Sequence, residues 1–172
     1  ARGLPNLRTS VDALPELGSP EVMELFSRHG VLSERELTSR MEVYLEQYVK
    51  SIRVEARSAL EIASTFILPA AVRHQGELAS TAVHLRTLGR EPDLTALDTV
   101  TDRVDDLRAA IQRLRTAADE EPGGSTLDQA RHACDVVLPA MDAVRAAADA
   151  LEEIVADDLW PLPTYQEMLF IL

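Results

Sequence analysis

The chain has 172 residues, a net charge of −12, 46% apolar and 27% charged residues, and only 4% aromatics. That is length enough for one domain with a real core, and the abundance of Ala, Leu, Glu, Arg and Gln leans towards helix. No basic stripe is available to displace counterions from phosphate, which disfavours nucleic acid and anionic membrane, and no apolar run approaches the ~20 residues that span a bilayer.

Residues 1–18 read as a Pro-containing lead-in without periodicity, and the chain opens on Ala1 rather than Met. Both suggest a linker from an upstream segment of a larger protein. Ser19-Pro20-Glu21 is the first helix signal. Ser19 can cap, Pro20 suits the first helical position, and Glu21 meets the positive end of the helix dipole. This short helix should stop at Gly30.

Ser33-Glu34-Arg35-Glu36 is a stronger start, a capping box flanked by Leu32 and Leu37 at staple spacing. Leu37, Met41, Tyr44, Tyr48, Ile52, Ala56, Ala59 and Ala63 then recur every three or four residues, which predicts one helix over about 34–88, ended by Gly89. Pro69 lies inside it and should kink or break it. A second long helix should open at Asp93 or Thr95. Its seam of Leu97, Val100, Val104, Leu107, Ile111, Leu114 and Ala118 alternates steps of three and four, as a coiled coil does. A third should start at the Ser125 and Asp128 capping box, carry Leu127, Ala130, Cys134, Val137, Met141, Val144, Ala148, Leu151 and Val155, and bend at Pro139.

Short connections make neighbouring rods antiparallel. The expected fold is therefore all-α: an antiparallel helical bundle over 19–158 with long kinked helices, a short N-terminal helix and an extended C-terminal tail. The distal half of the first rod should join the other two in a three-helix bundle, leaving 34–60 with less cover. Leu68-Pro69-Ala70 recurs as Leu138-Pro139-Ala140. The tail, 159–172, holds Trp160, Tyr165 and Phe170 and is apolar enough to need a surface to rest on.

No catalytic constellation emerges. His74 and His84 fall on nearly opposite helix faces, and His132 and Cys134 diverge by about 200°. No inward Glu-x-x-His motif is present, and Gly123-Gly124 joins two helices rather than a strand to a helix, so no phosphate loop forms. No catalytic, cofactor-binding or metal-binding residue is assigned. The single cysteine, Cys134, cannot close an internal disulfide and fits a reducing compartment, so the cytoplasm is expected. The polar run with Glu34, Arg35, Arg40, Tyr44 and Tyr48 reads either as a solvated face with ion pairs or as a docking surface, the aromatics favouring contact. Trp160, Tyr165 and Phe170 complete the candidate contact set.

The run from Leu32 to Tyr48 resembles the region that follows the catalytic domain in type III glutamine synthetases. Leu4-Pro5-Asn6, Ala13-Leu14-Pro15-Glu16-Leu17 and Ile67-Leu68-Pro69-Ala70-Ala71 are similar to that family as well. Residues Leu159 to Phe170 resemble the ending of those enzymes. Met41 departs from the aromatic expected there, and 74–158 matches only in helical character. The resemblance implies a parent enzyme that joins ammonia to glutamate with ATP and Mg as a homo-oligomer of two rings. Its catalytic machinery would lie upstream, and this segment would pack on its own catalytic domain and on neighbouring subunits. A free-standing helical interaction module is the alternative from another class. A helical-bundle metalloenzyme is a third.

Overall fold

The computed structural model describes residue 3, residues 5–163 and residues 165–169. The elements are helices α1 (Ser10–Ala13), α2 (Pro20–Arg28), α3 (Glu34–Ile62), α4 (Leu68–Thr87), α5 (Thr95–Asp119), α6 (Thr126–His132), α7 (Leu138–Glu152) and α8 (Tyr165–Leu169). Short 3₁₀ turns occupy Leu14–Gly18 and Asp157–Leu159. There is no strand among the described residues, so the fold is all-α.

The helix ends follow local chemistry. Ser19 accepts from the Val22 amide at the start of α2. At α3, Glu36 accepts from the Ser33 amide at 2.8 Å while the Ser33 hydroxyl accepts from the Glu36 amide at 3.4 Å. Ser125 and Asp128 repeat that exchange at α6. Asp93 accepts from both the amide and the hydroxyl of Thr95, opening α5. Gly30 and Gly89 take positive φ. Each closes a Schellman turn: the Val31 amide reaches the Phe26 carbonyl, and the Arg90 amide that of Leu85.

Both internal prolines are accommodated by the same device. The expected kinks are local π segments, Ala63–Ile67 and Ala133–Val137, each ending two residues before its proline. The Leu68 amide bonds the Ala63 carbonyl and the Leu138 amide bonds that of Ala133, five residues back in both cases. A proline lacks the amide that would close the next α-turn, and its ring crowds the carbonyl four residues earlier. Widening that turn moves the carbonyl aside and leaves one residue extra in the helix. The Leu-Pro-Ala recurrence is therefore matched by recurrent backbone geometry.

The chain divides into two compact units, Ala1–Ala56 with Ala118–Pro139, and Arg57–Ala117 with Ala140–Leu172. In the first, Val11, Leu45, Val49 and Ala130 form a buried cluster, with Leu14, Met41, Tyr48, Leu127 and Cys134 packed against it. The proximal part of α3 is thus covered by α1 and α6, more fully than its sequence suggests. The lead-in contributes to this: residues 10–18 are helical and Val11 is buried. The inward stripe of α3 is Leu37, Leu45, Val49, Ile52 and Ala56. Tyr44 is not on it. A four-residue step overshoots the 3.6-residue turn by about 40°, and the eight residues from Leu37 to Leu45 carry the stripe to Leu45, which leaves Tyr44 about 100° away from it.

In the second unit the rods pack as their seams foretell. Val100, Val104, Leu107, Ile111 and Leu114 of α5 are buried, joined by Ala110 and Ala117. Ile67, Ala70, Ala71 and Ala82 are buried on the first rod, and Val144, Ala148, Leu151 and Val155 on the last. The Gln75 amide donates to the Thr101 hydroxyl at 2.9 Å, pairing α4 with α5 across their connection. The third rod ends sooner than expected: α7 stops at Glu152, and the 3₁₀ turn Asp157–Leu159 packs on α4.

Candidate docking surface

Helix α3 positions most of the sequence-predicted contact residues. Glu34 and Arg35 occupy its first turn and Arg40 its second, all exposed. Their exposure follows from the capping box, which fixes the rotation of the first turn and sends Leu37 inward. Tyr44 is 47% exposed, so its ring is available for contact. Tyr48 faces the other way, against the first unit's core. Burial pushes its hydroxyl up to about 12, with a side-chain hydrogen bond to Cys134 and the negative charges of Asp135 and Glu55 adding to the effect. Tyr48 thus packs as a partly buried residue with a polar tip.

Trp160 belongs to the second unit. It is half-buried, and its indole N–H is enclosed with no hydrogen-bond partner among the described residues. The side chain of Tyr165 and all of Phe170 lie outside the described residues. In the tail, Met168 and Leu169 are exposed.

Two apolar features were missed in the sequence. The side of α3 opposite its buried stripe carries Val43, Gln47, Lys50 and Val54, which line an open groove of about 550 Å³. Val43 and Val54 are more than half exposed. Their three- and four-residue spacing was the signal, hidden by Gln47 and Lys50 between them. The second is α2, whose apolar side is only partly covered, with Leu25 exposed.

The electrostatics of the described residues are those of a solvated surface. The Ser33 backbone and side-chain hydrogen bonds hold Glu36 below the usual carboxylate range. Pairs such as Lys50 with Glu46, Arg103 with Asp106 and Arg108 with Asp105 lie within one helix turn and are exposed, so each contributes little. Among the described residues no group of three His, Cys, Asp or Glu side chains could hold a metal ion. No described helix is long and apolar enough to cross a membrane.

The comparisons with known proteins agree with this picture. The family model "Glutamine synthetase C-terminal domain" matches residues 1–86. "Type-3 glutamine synthetase" of Dictyostelium discoideum is 34% identical over 180 residues, covering 99% of this chain and 24% of the relative. "Glutamine synthetase" of Butyrivibrio fibrisolvens is 32% identical over 177 residues, covering 99% and 25%. "Glutamine synthetase" of Bacteroides fragilis is 25% identical over 178 residues, covering 98% and 24%. The chain thus spans about a quarter of the length of these curated relatives. On these matches, which reach from one end of the sequence to the other, the chain belongs to the glutamine synthetase family and corresponds to its C-terminal domain.

Proposed function

We propose that this chain is the structural, assembly-supporting C-terminal domain of an enzyme that ligates ammonia to glutamate at the expense of ATP. It would do no chemistry itself. It would pack on the upstream catalytic part of its own polypeptide and on neighbouring subunits of a homo-oligomer in the cytoplasm. The observation that carries this reading is coverage: relatives named as glutamine synthetases align along almost the whole chain, yet it accounts for only a quarter of them.

Beside Glu34, the exposed Arg35, Arg40 and Tyr44 support a contact role, since aromatic residues and Arg are enriched at interfaces. ATP and Mg would belong to the upstream part. That no group of three His, Cys, Asp or Glu among the described residues could hold a metal ion supports placing Mg there. The test is a γ-glutamyl transfer assay on the purified 172-residue chain and on the full-length polypeptide. Activity in the full-length protein alone is expected; turnover by the isolated chain would overturn the reading.

A further inference from the structure

Pattern and burial disagree in α2. Its sequence gathers Val22, Met23, Leu25 and Phe26 on one side, as a core-facing helix does. Yet none of its residues is buried. Leu25 is 51% exposed, and Val31, just past the Schellman turn, is 61% exposed. The other helices of seven residues or more all bury at least one side chain. An amphipathic helix covered on only part of its apolar side marks a place where another surface sits.

We propose that the Leu25 and Val31 side of α2 is the seat of the catalytic part of the same polypeptide. This rests on reading the chain as a C-terminal domain, and it adds which face makes the contact. Two further observations favour that occupant. About three quarters of each relative lies outside the match, and α2 begins only at residue 20. An upstream domain would therefore be held beside α2 by a short tether, at an effective concentration on the order of millimolar. Charge raises no barrier to such an occupant at this face. The face itself is locally balanced, because Glu24 and Arg28 pair with each other beside Leu25.

The test is thiol labelling of the full-length polypeptide carrying Leu25→Cys or Tyr44→Cys, read peptide by peptide by mass spectrometry. Each rate is divided by that of the same protein in urea. Leu25 is half exposed, so the substitution leaves the core intact. Relative to the 172-residue chain alone, Leu25→Cys should label at least tenfold more slowly in the full-length protein, at every protein concentration. Equal rates would overturn the inference. If Tyr44→Cys is slowed in that case, the C-terminal-domain reading stands with a different seat. Protection that vanishes on dilution would assign the face to a second copy and also overturn the inference. A polypeptide with no glutamine synthetase catalytic domain upstream would instead remove the reading beneath it.

Discussion

Replacing Val104 with Asp distinguishes a seam satisfied inside the chain from one that waits for a partner. Val104 is fully buried in the second unit, within the run Val100, Val104, Leu107, Ile111 and Leu114. Losing the buried isopropyl group costs about 1.5–3 kcal/mol. The new carboxyl has no cation provided for it, so it stays folded only if protonated. Keeping an ordinary Asp, pKa about 3.9, neutral at pH 7 costs about 4 kcal/mol at 1.36 kcal/mol per pH unit. The sum, about 6 kcal/mol, is comparable with the whole stability of a typical domain, about 5–15 kcal/mol. Val104→Asp should therefore unfold the chain or leave it barely folded at pH 7 and partly recover towards pH 4. The control Val83→Asp, at a position 60% exposed, should change stability by less than about 0.5 kcal/mol. Circular dichroism melts and sedimentation velocity on the same samples decide it. The reasoning fails if Val104→Asp keeps its helicity and melting temperature while the sedimenting mass falls, since the seam would then be buried between copies.

Four other outcomes follow from the caps and from Tyr48. Gly124 has φ +109°, and a β-carbon there would lie 2.7 Å from the Asp128 carboxylate; Gly124→Ala should cost about 1–3 kcal/mol in a denaturant titration through backbone strain and a disturbed cap. Ser125→Ala, which removes the α6 cap hydroxyl, should cost about 1 kcal/mol. Asp128 and Glu36 are held below their ordinary range by hydrogen bonds to Ser125 and Ser33. Their contribution is present above the ordinary carboxylate range and is lost as pH falls through the lowered values, so acid titration of Ser125→Ala should show a shallower loss than the parent chain. Tyr48 has the opposite sign. Its folded value near 12 exceeds the ordinary 10, so the unfolded chain ionises first and stability falls as pH rises from about 10 to 12. Tyr48→Phe should flatten that part of the alkaline denaturation curve.

How far the sequence discloses this protein depends on the scale of the signal. Helix starts at Ser19, Ser33 and Ser125 and stops at Gly30 and Gly89 were legible because capping is local: the partners lie within a few residues of each other. The α5 seam was legible because seven evenly spaced apolar positions leave no other face to bury. Tyr44 was misplaced because Tyr44 and Leu45 are both apolar and lie seven and eight residues beyond Leu37, so spacing alone admits either; the buried stripe follows Leu45, about 100° around the helix from Tyr44. The cover that Val11 provides for α3 was out of reach for another reason. Four residues of helix carry no period, and what makes them fold is a contact with Ala130, more than a hundred positions away. The candidate surface shows the same division. Exposure of Glu34, Arg35 and Arg40 follows from one capping box, whereas the open side of α2 reflects what does not pack on it.

The two π segments have a consequence for how these rods could change length. Each holds one residue beyond the α-helical count, so the side chains downstream are rotated by about 100° relative to an uninterrupted helix. Deleting one residue within 63–67, together with Pro69→Ala, would turn that segment back into plain α-helix and leave Ala70 and Ala71 facing inward as before. The same deletion in the middle of α5 would swing Leu107, Ile111 and Leu114 out of register with everything they pack against. The prolines thus mark the two places along the rods where the chain can absorb a change of one residue.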